Sequence, residues 1–439
     1  MENYYENILA IFAVGFGLLL VAVFVFLYRR KRIPVFCGLS AFLASFMMYV
    51  VASTFSCLAA DSFYENIDGG QVLYFIVGNL SALFLILWVY LAYKPKVRYG
   101  KNRKYFDRET SVSVLLSVIS IGVVGVFLFP NIPGLGRLVY TLGDQSLFLA
   151  WGLACHRWYR RKVSALNIIL LSIAGVLVVY SIFFAGFSRK PLLAFFVIPL
   201  VVFYYSGMRI KSLWQFLILA VPVAFVGLMF LSTWTSVRVS TLQEGRGLSL
   251  GQTTELRFDK FLDGLESKNS IRFLVSSIGD NSTSIALAAV ENYLGEDASI
   301  ETDPFNTLFF IVANPVPRAF WENKPSSMGT MFPRDLGIWE TKGYVNWGTN
   351  FIGHSAHEGG FHIIIFYALI IGFLLKRFDH YVEFNFRDPL CVAILGAAFV
   401  RMLGFVRGDF GVFTIGFLGF FLVFCLARFI RRRLDPAKQ

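Results

Sequence analysis

Eleven apolar windows, most of them long enough to cross a bilayer, leave this chain few folds to choose from. A spanning helix needs about 17–25 predominantly apolar residues to cross roughly 30 Å of hydrocarbon. Windows of that kind run over 7–28, 33–57, 71–93, 110–129, 137–155, 164–184, 192–206, 212–232, 359–375, 389–406 and 410–429. Backbone N–H and C=O groups in lipid have no water to bond, so single runs of this length must be α-helical. The expected fold class is therefore an all-α polytopic membrane protein with about 11 transmembrane helices. Composition agrees, since 56% of residues are hydrophobic and 15% charged, whereas a soluble domain carries about 25% charged residues.

A formal net charge of +12 would point a soluble chain toward nucleic acid. Here the positions of the charges give another answer, and no nucleic-acid partner is expected. Most Lys and Arg residues fall in alternate inter-helix segments: RRKR (29–32), KPKVRYGKNRKYFDR (94–108), RWYRRK (157–162), Arg209 with Lys211, Lys376, Arg377 and Arg387, and the tail from Arg428. The intervening segments MENYYEN and ADSFYENIDGG have neither. This is the positive-inside pattern, which places the N-terminus outside and the C-terminus inside. The first window has acids before it and RRKR after it, the reverse of a signal peptide, so it is expected to be retained. None of the five Cys lies in the long polar segment, which excludes a disulfide-stapled exterior domain.

Three regions follow: a transmembrane bundle of about eight helices over 1–232, a large outer loop over 233–357, and C-terminal helices with a basic tail over 358–439. Within the loop, apolar residues recur at helical spacing over 267–294, which suggests amphipathic helices lying on the membrane face. The apolar run 305–316 is too short to cross and fits a re-entrant or interfacial helix ended by NPVP. From Asp303 to His362 the chain mixes Pro, Gly, Arg, Trp and His without a clean hydrophobic period. A polar segment set among membrane helices is a default place for function.

Outward-facing cations are few, which makes Arg137, Arg189 and Lys190 in GFSRKP, and Arg407 in VRGD noteworthy. Arg401 lies inside an apolar window, and the loop adds Arg318 and Lys324 in NPVPRAFWENKP. Any one of them can be a solvated or snorkelling side chain. Gathered at one surface they would grip a polyanion, because the planar guanidinium binds phosphate oxygens in pairs. In GHSAHEGGFH, His354, Glu358 and His362 are spaced four apart and share a helix face, with His357 beside Glu358. Three readings stay open: a metal site, a general base at Glu358 or His357, and a polar helix cap.

The tract VPRAFWENKP (316–325), the turn GFSRKP, the acid in HEGGFHIIIF and VRGD, in that order over about 180–425, resemble the O-antigen polymerase (Wzy) family of oligosaccharide repeat-unit polymerases. One departure is Gly359-Gly360 after the acid, where the family usually has an aromatic and asparagine-glycine. The resemblance implies a GT-C-like bundle in the bacterial inner membrane, with the outer loop and active site periplasmic. It implies glycosyl transfer between an undecaprenyl-diphosphate-linked glycan donor and a lipid-linked acceptor, without metal or cofactor. Its partners would be those glycans, the lipid bilayer and, optionally, a chain-length regulator. On this reading Arg189, Arg318, Arg401 and Arg407 hold the diphosphate, with Lys190 and Lys324 supporting them. Arg318 then also acts in catalysis, and Glu358 or His357 takes the acceptor proton. The nearest alternatives are an O-antigen ligase and, further off, a transporter of lipid-linked oligosaccharides.

Overall fold

The computed structural model describes residues 2–60, 63, 67–95, 111–128, 136–160, 164–184, 189–206, 256, 259, 282–295, 303–314, 316, 320–321, 324–335, 348–408 and 410–434. Every regular element among them is helical. The first half of the chain gives α1 (Glu2–Arg29), α2 (Gly38–Phe46), α3 (Ser53–Ala60), α4 (Gly69–Ala92), α5 (Val112–Val123), α6 (Gly136–Arg160), α7 (Ala165–Phe184) and α8 (Arg189–Ser206). The second half gives α9 (Ser282–Leu294), α10 (Asn306–Ala313), α11 (Met328–Asp335), α12 (Asn350–His357), α13 (Phe361–Asn385), α14 (Pro389–Met402) and α15 (Phe410–Leu434).

Among the described residues, seven helical stretches are long and apolar enough to cross a membrane: Tyr4–Arg29, Gly38–Ala59, Gly69–Ala92, Ala165–Ile182, Phe361–Asn385, Pro389–Arg407 and Thr414–Leu434. Val112–Phe127 and Pro191–Ser206 are apolar but shorter. The protein is thus helical and membrane-embedded in character. The window 137–155 does form a long helix, α6, yet it buries Asp144, Gln145, Ser146, His156 and Arg157 along its length. The window 212–232 lies outside the described residues.

The chain divides into two compact units. The first comprises residues 1–98, 278–381 and 401–415. Its bundle packs aromatic edges between helices, as in Phe16 against Phe46 (centroids 5.6 Å apart) and Phe12 against Phe75 (6.0 Å). A π-helical turn, Met47–Ala52, joins α2 to α3, and such turns leave carbonyls off the regular ladder. The Tyr49 carbonyl accepts from Asn350 Nδ2 (2.9 Å) and from the Ser282 hydroxyl (3.3 Å). The Ser53 hydroxyl in turn accepts from the Thr283 N–H at 2.9 Å. These bonds anchor α9 by its N-terminal end.

The anchoring corrects one expectation. The helix within 267–294 does not lie on a membrane face: Ser282–Val290 is buried on all sides. Over this stretch the polar residues are small hydroxyls, Ser282 and Thr283 bonding to neighbouring elements, and the rest are Ala, Ile, Leu and Val, so no face of it needs water.

At the far end of this unit, the Asp379 carboxylate caps α2 from another helix. It accepts from the Gly38 N–H, from the Leu39 N–H (3.1 Å) and from the Tyr90 hydroxyl (2.8 Å). Helix α13 runs ten residues past the expected end at Leu375, and Asp379 is joined there by two cations that also find partners. Lys376 lies over the Tyr90 ring at 4.6 Å, and Arg377 donates to the Tyr93 hydroxyl at 3.2 Å.

The second unit comprises residues 99–277, 382–400 and 416–439. Here the π-helical turn Val124–Leu128 that follows α5 approaches α6 closely: a Cβ on Gly125 would sit 2.7 Å from the Gly143 Cα. Small residues let membrane helices meet backbone to backbone. Trp151 stacks on Phe195 (4.9 Å between centroids) and donates to its carbonyl at 3.0 Å. Arg431 forms a two-pronged ion pair with Asp388 at 2.7 and 2.9 Å.

Candidate functional site

Glu358 is the residue around which the polar segment of the first unit is arranged. It follows α12 and precedes two glycines, Gly359 (φ +128°) and Gly360 (φ +91°), whose backbones occupy the region that side chains with a Cβ avoid. A Cβ on Gly360 would also overlap the Tyr293 hydroxyl. The glycine pair therefore turns the chain sharply and starts α13 at Phe361, two residues later than the hydrophobic pattern suggests.

The Glu358 side chain is wholly buried. Its Oε1 accepts from the Thr307 N–H at 2.9 Å and from the Thr307 hydroxyl. It also lies 3.0 Å from His354 Nε2, the residue one helical turn earlier. Its Oε2 accepts from the Tyr367 hydroxyl. The Thr307 hydroxyl also meets His354 Nε2, which closes the network. Burial alone would raise the Glu358 carboxyl, but the positive charge of His354 and hydrogen bonds from His354, Thr307 and Tyr367 outweigh it. The net shift is downward, so Glu358 stays ionised. Asp303 moves the other way, raised by partial burial and by the Glu358 charge.

Thr307 is the second residue of α10, and its N–H is one of the donors that no helix satisfies internally. Glu358 therefore caps α10, a helix that begins 52 residues before it, rather than α13, which begins just after it. Lys324 closes the other end of α10. Its ammonium donates to the Asn314 carbonyl (2.6 Å), to Asn314 Oδ1 (3.2 Å) and to the Val316 carbonyl (3.0 Å). An anion at the N-terminus and a cation at the C-terminus both complement the helix dipole. The short helix that leads into the Pro-rich tract is thus held by charge at each end.

The remaining candidates divide as follows. Arg401 is half-buried in the last turn of α14, and Arg407 is half-buried in a short 3-10 turn, Phe405–Arg407, rather than in a continuous helix. The Val406 N–H is fixed by the Ser45 hydroxyl at 3.0 Å, and the Arg407 stem crosses Gly348 so closely that only glycine fits there. His357 is buried with its ring edge-on to Phe332, 5.5 Å between centroids. His362 is exposed at the start of α13 and does not join it. Arg189 and Lys190 open α8 in the other unit. Their side chains, that of Arg137 and the whole of Arg318 lie outside the described residues.

Among the described residues, no three His, Cys, Asp or Glu side chains gather in a way that would hold a metal ion. Of the helical HxxxE pair, the spacing of four was visible in the sequence. Thr307 and Tyr367 were not, because nothing local marks Thr307 as the partner of a residue 51 positions away. Comparison with known proteins finds no matching family model, no matching curated protein and no matching solved structure.

Proposed function

We propose that this protein is a polyprenyl-diphosphate-dependent glycosyltransferase of the O-antigen polymerase type. It would have about 11 spans in a GT-C-like bundle in a bacterial inner membrane, acting at the periplasmic face. One observation carries the reading beyond resemblance. A buried, ionised carboxylate and a lysine clamp the helix that leads into VPRAFWENKP, at the end of α13 opposite Lys376 and Arg377. A membrane protein does not keep such a charged network away from its basic ends without a use for it.

In the proposed reaction the acceptor hydroxyl attacks the anomeric carbon of the donor glycan. The bond from that carbon to the diphosphate oxygen breaks, negative charge develops on the lipid diphosphate, and the proton of the attacking hydroxyl passes to the departing diphosphate or to water. Fixed guanidiniums stabilise that charge more in the transition state than before it. Arg318, Arg401 and Arg407 are assigned to this; Arg189 and Lys190, named with them from the sequence, belong to the other unit. Lys324 has a different part, because its ammonium already donates to three oxygens of the chain.

Glu358 has two roles open to it, base and anchor. Its oxygens already accept from Thr307 and Tyr367 and pair with His354, and it has no exposed surface. That arrangement favours the anchor, with the tract held in register for the arginines. The direct test is to incubate purified protein in lipid with undecaprenyl-diphosphate-linked repeat units. A ladder of lengthening products is expected. An unchanged substrate band, under conditions where a known polymerase gives a ladder, overturns the proposal, as does transfer to lipid A-core alone, which would make the protein a ligase.

A further inference from the structure

Helix α10 is built inside out for a helix that meets water. Its inward side carries Asn306 and Thr307 with Phe310 and Ala313, all buried. Its outward side carries Leu308, Phe309 (55% exposed) and Val312 (76% exposed), which share one helical face, and Val316 and Phe320 (84% exposed) are exposed beyond the helix end. Residues 304–316 contain no charged side chain. A surface helix in water puts its apolar residues inward; this one places its hydroxyl and amide inward on Glu358 and Met331 and Leu308, Phe309 and Val312 outward.

The outward face is continuous with a surface whose surroundings are clear. Helix α13 is long and apolar enough to span a membrane, and it exposes Phe361, Ile365, Phe366, Phe373 and Leu374. Phe305, at the mouth of α10, packs edge-on against Phe366, 5.3 Å between ring centroids. At the other end, Phe309 meets the half-buried Trp321 at 5.7 Å, and tryptophan favours the headgroup level of a bilayer. Eight residues of helix span only about 12 Å, too short to cross.

We propose that the outward face of α10, formed by Leu308, Phe309 and Val312, sits in the hydrocarbon of the bilayer as a re-entrant helix in the leaflet opposite Lys376 and Arg377. Its occupant is lipid acyl chain, and the charge clamp of Glu358 and Lys324 holds its polar underside against the protein. Membrane contact at this point gives the Pro-rich tract a fixed depth.

The test uses the full chain in nanodiscs of phosphatidylethanolamine and phosphatidylglycerol. An environment-sensitive fluorophore is placed on single cysteines in a Cys425→Ser background, since the other four cysteines are buried. Phe309→Cys and Val312→Cys are compared with Leu374→Cys, on the exposed stripe of α13, and Arg32→Cys, in an exposed basic turn. All four side chains are exposed, so the labels do not disturb the core. The labels at 309 and 312 should give blue-shifted emission, quenched by doxyl lipids and insensitive to aqueous iodide, as at 374. Iodide quenching without doxyl quenching, as at 32, overturns the proposal. Shielding from both quenchers together with cross-linking between chains at 312 overturns it as well, by showing a protein partner on this face. The readout is lipid contact and not glycosyl transfer, so it stands or falls separately from the proposed function.

Discussion

The Glu358 network makes a prediction about acid that can be worked through by sign. A carboxyl whose folded value lies below its ordinary 4.5 contributes stability that is fully present above that ordinary value and is lost as pH falls through the lower, folded value. Asp303 has the opposite sign. Its folded value lies above the ordinary 3.8, so it opposes the fold at neutral pH, and that opposition is relieved as acid protonates it. Unfolding temperature, followed in detergent from pH 6 downward, should therefore fall in acid for the parent protein. Glu358→Gln should lower the plateau and flatten the acid limb, whereas Asp303→Asn should leave the acid loss in place. Truncation to Ala goes further. It strands a buried His354 and the Thr307 donor, and removal of one member of a buried pair costs about 3–5 kcal/mol. Only part of this was legible in the residue order. The spacing of His354 and Glu358 shows a shared helix face. The destination of the carboxylate, a backbone N–H in another helix, depends on tertiary packing that no local pattern encodes.

At the scale of elements, hydrophobic length predicted where helices lie, and errors came where polarity was satisfied internally. Windows beginning near residues 71 and 164 match α4 and α7 closely, because apolar runs bounded by Asp68 and Ser164 start helices in both readings. Helix α9 was expected on a membrane face because Ser and Thr on a helix resemble a wet face. Here they bond to a π-turn carbonyl and to Ser53. The 305–316 run was read as a short re-entrant or interfacial helix, and a short helix, α10 (Asn306–Ala313), does form within it. Its clamp gives a second prediction. Lys324→Met keeps the stem but removes a charged donor, and hydrogen bonds to a charged group are worth about 1.5–3 kcal/mol. The expected result is a matching drop in global stability and faster protease cleavage between 316 and 324, with cleavage elsewhere unchanged. Equal cleavage in both proteins would mean that the tract is held by something other than this lysine.

At the scale of the molecule, the two compact units do not follow the order of the sequence. Each is assembled from three separate stretches of chain, and α14 and α15 each contribute to both. Hydropathy registers spans but is blind to which spans share a body, so a division at 232 and 357 was all that pattern could suggest. The basic candidates are distributed in the same way, with Arg401 and Arg407 in one unit and Arg189 and Lys190 in the other. Arg407 offers the sharpest test of the diphosphate assignment, because its turn is fixed by a neighbouring bond, from the Val406 N–H to the Ser45 hydroxyl, that a change of the Arg407 side chain leaves in place. Arg407→Ala should therefore reach the membrane at parental levels and resist heat nearly as well, yet lose about 10²–10³-fold in rate, the usual cost of removing one preorganised donor from a developing oxyanion. Arg407→Lys keeps the charge and loses the planar fork, so its rate should fall between the two. A lysine variant as fast as the parent would show that charge alone is used. An alanine variant with a full product ladder would remove Arg407 from the diphosphate altogether and leave Arg318 and Arg401 to carry the assignment.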